Sequence, residues 1–293
     1  MSEAFRALTG APVVFFKHLY IQDIWDEIYE ADQNKYIVCA SSGEGQSNKQ
    51  RYDEMGLISE HAYSVIQTYK IEKDGKEVRL LKLRNPWGHK EWLGRWSDTS
   101  DLWTDELRKE LDWKQKNDGV FFICVEDYLS YFRTTVICKL HKDYVSSALR
   151  CSHLNGQHSK IKINIEESGK TFFTVSQLNQ RWVRRNEEYE PSFVRMILAR
   201  ERGEDEENSD IFPFHFIEGK CWKDEDTTIE WECEPGIYIA YVEIHWFDDK
   251  RFHNFVFRTY SKSEVTLELL KEEEYPNFLK DTLKSWAREN DIK

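Results

Sequence analysis

Long apolar runs are missing from this 293-residue sequence. No stretch approaches the roughly eighteen consecutive apolar residues that a membrane-spanning helix needs, so no transmembrane segment is expected. Nor do the first thirty residues carry a basic region followed by an apolar stretch and a small-residue cleavage site, so no leader peptide is expected either. An excess of basic charge is also lacking. Lys and Arg number 41 against 53 Asp and Glu, a formal net charge of −12, which argues against nucleic acid or an anionic membrane surface as partner. Cysteines are sparse. Cys39, Cys124, Cys138, Cys151, Cys221 and Cys233 form no Cys-x-x-Cys pair and no dense framework. Structural zinc and a disulfide scaffold lose support, and reduced thiols in a cytoplasmic protein are the expectation.

Aromatics, by contrast, are abundant at 14%, within 40% hydrophobic and 32% charged residues. That balance describes a folded chain, long enough for two cores, and large aromatic side chains favour packed sheets. Up to about residue 133, helical and strand signals mix. "IQDIWDEIYEAD" (21 to 32) has helical spacing, and "KYIVCAS" is a short buried strand. "HAYSVIQTYKI" and "EVRLLKLRN" flank Lys73-Asp74-Gly75-Lys76, a hairpin signal. "WTDELRKELDW" reads as a helix capped by Thr104, and "DGVFFICVEDYLSYF" as a strand followed by a short helix. From "TVICKL" onward eight short β segments point to an antiparallel sandwich. The acidic run at 201 to 210 reads as a solvated loop, and Phe278, Leu279, Leu283 and Trp286 as one stripe of a docked terminal helix. The expected division is 1–133, 134–270 and a helical tail 271–293, with an α+β first part.

His61 lies inside an apolar strand, and Asn85-Pro86-Trp87-Gly88 follows where the next strand ends. An imidazole base, an amide that orients it and an indole that shields the pair would make chemical sense of these residues. Spacing alone is only permissive. A strict two-residue turn at Asp74-Gly75 puts His61 opposite Gly88 and Asn85 on the other face of the hairpin. A bulge, or departure from the ladder at Pro86, would repair it.

"GLISEHAYSV", "LLKLRNPWG" and "HKEWLGRWSD" resemble the calpain family of calcium-dependent cysteine proteases, and "SEAFRALTG" is similar to the segment that enters the second subdomain of that protease core. The resemblance covers roughly residues 2 to 133 and implies the C-terminal half of a papain-like calpain core, an antiparallel sheet with helices. The later part, through its strand pattern and "SQLNQR", is similar to the calpain-type β-sandwich. By this resemblance His61 matches the general base, Asn85 its orienting amide and Trp87 the covering indole. It also implies a calcium site. Glu91, Asp98 and Asp118 match its acids and Lys116 a backbone carbonyl, whereas Val120 stands where a glutamate is expected, so weak binding is implied. The family's nucleophile, in a Gly-Asp-Cys-Trp segment at a helix start, has no counterpart before His61. Cys39 sits in an apolar strand and reads as a small core residue.

Two readings therefore stand. Either this is the C-terminal part of a calpain-type endopeptidase with its nucleophile outside the chain, or a non-catalytic relative kept for binding or regulation. Partners are expected among protein substrates or a protein that supplies the missing protease half. Lipid contact by the sandwich has no residue to support it.

Overall fold

In the computed structural model, residues 1–20, 23–43, 49–179, 183, 188–203, 213–248 and 253–290 are described. Most of the acidic run, residues 204–210, and the end of "SQLNQR" lie outside them. The chain divides into two compact units, Met1–His141 and Lys142–Lys293.

The first unit runs α1 (Ser2–Thr9), β1 (Val13–Lys17), α2 (Trp25–Gln33), β2 (Ile37–Ser42), α3 (Lys49–Glu54), β3 (Ala62–Lys73), β4 (Lys76–Arg84), α4 (Asp105–Glu110), β5 (Val120–Cys124), α5 (Val125–Tyr131) and β6 (Phe132–Cys138). Its sheet has the order β1-β6-β2-β3-β4-β5, every neighbouring pair antiparallel. Trp25, Ile28 and Ala31 of α2 pack with Val38, Tyr63, Leu81, Leu83, Phe121 and Phe132 of the sheet to form the main core. A second cluster, with Trp96, Trp103, Leu111, Leu80, Phe122 and Cys124, fills around α4. The Thr104 hydroxyl caps α4 by accepting from Leu107 N–H at 3.3 Å, satisfying one of the free donors of its first turn.

The second unit is a pair of antiparallel sheets. Its strands are β7 (Val145–Ser152), β8 (Ser159–Ile165), β9 (Gly169–Ser176), β10 (Phe193–Glu201), β11 (Phe214–Lys223), β12 (Asp226–Cys233), β13 (Gly236–His245), β14 (Asn254–Ser261) and β15 (Thr266–Leu269), followed by α6 (Phe278–Glu289). They order as β11-β10-β13-β8-β15 and β12-β9-β14-β7, with one shared apolar cluster that includes Ile161, Phe173, Met196, Tyr238, Val242 and Phe257. The outer face of the five-stranded sheet is covered in part by Phe278 of α6, which joins Ile197, Phe214 and Tyr241.

Two sequence expectations are corrected. The expected boundary at residue 133/134 moves, because "TVICKL" is not a sandwich strand: β6 lies between β1 and β2 of the first sheet, with Val136 opposite both Phe15 and Cys39. Alternation reports that a strand is half buried but not which sheet it joins. The docking stripe of α6 also differs from the expected one. Phe278, Thr282 and Ser285 are buried, while Leu283 and Trp286 stay 42% and 38% exposed. The small Thr282 and Ser285 let the helix approach the sheet closely, at the expense of the larger apolar pair.

Candidate functional site

The hairpin of β3 and β4 builds the site. Asp74 and Gly75 have φ of 52° and 71°, the left-handed pair of a two-residue hairpin turn, so Lys73 faces Lys76. From the turn to Gln67 opposite Lys82 the ladder is regular; beyond it Val65 faces Leu83 and Ser64 faces Arg84. Ile66 is thus one extra residue, a β-bulge, and each further position on β3 swaps faces relative to β4. That swap returns Asn85 to the face of His61 and Tyr63.

His61 Nε2 lies 2.9 Å from Asn85 Oδ1. The amide orientation is decided by its other partners. Asn85 Nδ2 donates to His89 O at 2.7 Å and Lys90 O at 3.1 Å, while Trp87 N–H donates to Oδ1 at 3.1 Å. A flipped amide would set like against like at all of these contacts. Oδ1 can only accept, so the imidazole proton resides on Nε2 and the lone pair on Nδ1. This tautomer fixes the ring by its far nitrogen.

Asn85 is fully buried. Its backbone N–H donates to Gly119 O at 2.8 Å, and its carbonyl accepts from Gly88 N–H at 3.0 Å, closing the Asn-Pro-Trp-Gly turn. Gly119 is obligatory there: its φ is +85°, and a Cβ would lie 2.7 Å from Asn85 O and 3.0 Å from Gly88 Cα. Aromatic rings flank the imidazole. Trp87 lies 4.6 Å from it at a 53° tilt and Tyr63 lies 5.0 Å away, edge-on, centroid to centroid. Trp87 remains 56% exposed, so its outer face is open to solvent or to a neighbouring chain. Tyr63 went unrecognised in the sequence, where it reads as one more aromatic of an apolar strand.

The loop acids gather near the end of β4. Glu91 Oε1 accepts from Gly119 N–H at 2.7 Å and Asp98 Oδ2 from Lys116 N–H at 3.2 Å. Asp118 turns back on its own loop, accepting from Val120 N–H at 3.1 Å. Burial pushes the Asp98 carboxyl up to about 6, with the Lys116 N–H opposing this and the charges of Glu91 and Asp118 adding to it. Burial also raises Glu91, partly offset by the Gly119 and Asp118 backbone. Carboxylates are donors that calcium favours. Yet among the described residues no group of three or more His, Cys, Asp or Glu side chains is placed to hold a metal ion. The fit is incomplete: the donors are of the right kind, but too few and partly taken up by backbone N–H groups.

Among the described residues no hydrogen bond joins His61 to a cysteine. Cys39 lies on β2, and burial raises its thiol, the reverse of what a nucleophile needs. All six cysteines are free, and Cys124, Cys138, Cys151 and Cys233 are buried.

A family model described as calpain family cysteine protease matches residues 1–139. Mouse Calpain-12 is 36% identical over 148 residues, covering 48% of this chain and 20% of that protein. Human Calpain-14 is 36% identical over 120 residues, covering 40% of this chain and 17% of the relative. The aligned part thus spans a fifth or less of each relative. A solved clostridial cysteine protease, Cwp84 after propeptide cleavage, overlays with a TM-score of 0.24 at 8% identity over 85% of this chain and 58% of that one, a likeness too loose to carry any argument. Residues 1–139, a little under half of the chain, therefore match the calpain family of cysteine proteases.

Proposed function

We propose that the first unit is the histidine half of a calpain-type endopeptidase site, the C-terminal half of a papain-like core, with the nucleophilic thiol supplied from outside the residues of this chain. His61 is the general base, Asn85 orients it and Trp87 screens their hydrogen bond from water. The observation that carries this is the 2.9 Å His61–Asn85 contact, with its amide locked by the His89 and Lys90 carbonyls.

In such a site Nδ1 of His61 takes the proton of the incoming thiol. The thiolate adds to the scissile carbonyl, and the imidazolium returns its proton to the leaving amine as the C–N bond breaks. The same nitrogen then takes a proton from water as the hydroxide oxygen attacks the thioester, and protonates the thiolate that leaves. Throughout, the Nε2–H bond to Asn85 keeps the ring from turning. The substrates are proteins, and the compartment is the cytoplasm, consistent with six free cysteines. Among the described residues no helix is long and apolar enough to cross a membrane.

Calcium belongs to this proposal only as a weak ligand of the loop bearing Glu91, Asp98 and Asp118, with Lys116 contributing its carbonyl. The antiparallel sheets of the second unit correspond, in the same proposal, to the calpain-type β-sandwich.

Sequencing the transcript upstream of the Met1 codon tests the one-chain form of the proposal. An in-frame Gly-Asp-Cys-Trp segment supports it. A stop codon next to that position contradicts it and leaves supply of the thiol by a second polypeptide.

A further inference from the structure

We infer that Ser42 is a positioning residue for His61, an inference that rests on the protease reading above. Ser42 ends β2, where pairing with β6 slips: Ser41 stands opposite Thr134 and Ser42 opposite Phe132. The extra residue there is Arg133 of β6, while Ser42 keeps the inward place of the alternation along β2 and is only 3% exposed, beneath the start of β3.

There it meets both polar groups of the His61 backbone. Ser42 Oγ accepts from His61 N–H at 3.0 Å, and Ser42 N–H donates to His61 O at 3.0 Å. The same hydroxyl donates its proton to Ile58 O at 2.6 Å. The next residue continues the attachment, since Gly43 O accepts from Glu60 N–H at 3.0 Å. Residues 58 to 61 need such holding. Glu60 has a φ of 54°, a left-handed conformation that costs energy for a non-glycine residue, and the ladder between β2 and β3 has already ended with Ser41 opposite Ala62.

The direction of the His61 ring is set at its Cα. Asn85 holds the far nitrogen, Trp87 and Tyr63 flank the ring, and Ser42 holds the backbone from which the ring projects. With alanine at this position the His61 N–H would lose its acceptor in a half-buried place, and the 58–61 turn would lose its tie. The imidazole would then visit orientations in which Nε2–H leaves Asn85 Oδ1. Ser42 touches neither substrate nor the reacting atoms; its effect passes through His61.

The test is nitrogen-15 NMR of the His61 imidazole in the full 293-residue chain, comparing wild type, Ser42→Ala, Ser42→Thr and Asn85→Ala. In the wild type the ring is a single Nε2–H tautomer with a slowly exchanging proton. Ser42→Ala speeds exchange of that proton about tenfold and mixes the tautomers, from loss of one half-buried hydrogen bond. Ser42→Thr, which keeps the hydroxyl, restores the wild-type spectrum. If the alanine variant does not fold, Ser42→Cys, a close match in size with a weak acceptor, carries the same comparison. A folded Ser42→Ala or Ser42→Cys protein with wild-type tautomer and exchange overturns the inference. If instead Asn85→Ala leaves the His61 tautomer unchanged, it is the protease reading that fails.

Discussion

His61 donates from Nε2 to Asn85 Oδ1 across 2.9 Å, a contact that the two-residue turn of their hairpin, acting alone, would forbid. Counted from the Lys73–Lys76 closure, Asn85 belongs on the face of Ser64; the extra Ile66 moves it to the face of Tyr63 and His61. The proposed catalytic geometry depends on Ile66 staying out of the ladder.

Deleting Ile66 should leave the pair together in a regular ladder, because Gln67 opposite Lys82 is then followed directly by Val65 opposite Leu83, which keeps Asn85 on the face of Tyr63 and His61. Ile66 is 44% exposed, so its removal sacrifices little buried surface. The expected outcome is a folded protein whose His61 imidazole keeps its bond to Asn85 by NMR. A lost bond would mean that the bulge itself, and not only the pairing it permits, sets the orientation of His61.

Asn85→Ala should destabilise the first unit by about 2–4 kcal/mol, measured by urea unfolding. The substitution strands the N–H donors of His61 and Trp87 and the carbonyls of His89 and Lys90 in a site with no exposure for the amide itself. A loss below about 0.5 kcal/mol would show that water replaces the amide at little cost.

Calcium binding should be weak, with a dissociation constant at or above about 10⁻⁵ M by isothermal titration. It should vanish in the Glu91→Ala/Asp98→Ala double variant and tighten in Val120→Glu, which adds a carboxylate beside Asp118. No heat even in Val120→Glu would remove calcium from the account.

The second unit should lose stability on acidification through His153. This ring is buried: Nε2 accepts from Ile244 N–H at 3.1 Å and Nδ1 meets Ser159 Oγ at 2.9 Å. Burial pulls its pKa down to about 4, with His158 and His253 adding to the shift. Between about 6.5 and 4 the unfolded chain therefore binds a proton that the folded one refuses, so stability falls as pH falls through that window. The full effect is about 3 kcal/mol. Melting of His153→Gln should show a flatter pH dependence over this range; an unchanged slope would assign the acid sensitivity elsewhere.

Much of this site could be read in the sequence because its chemistry is carried by short motifs. His61, Asn85 and Trp87 each sit in a recognisable string, and the turn at Asp74-Gly75 announces itself through residues that tolerate positive φ. What joins them could not be read. Ile66 looks like any other apolar strand residue, and nothing in its type marks it as unpaired. Ser42 acts on His61 through a fold contact between residues nineteen positions apart. β6 was assigned to the wrong unit because alternation is the same in either sheet. β7 and β15 passed unnoticed for a related reason: Val145-Ser146-Ser147 opens β7 with little apolar signal, and β15 is four residues long. The metal site is the least legible in the sequence, since matching acids by position says nothing of whether their free oxygens converge.

The most direct test joins this chain to a calpain segment that bears the Gly-Asp-Cys-Trp nucleophile and follows cleavage of a fluorogenic peptide. The chain alone should be inactive, the joined protein active, and His61→Ala in the joined protein slower by about 10³-fold or more. Cleavage by the chain alone that disappears with Cys39→Ser would contradict a thiol supplied from outside it, and cleavage by the joined protein that survives His61→Ala undiminished would contradict the assignment of His61 as the base.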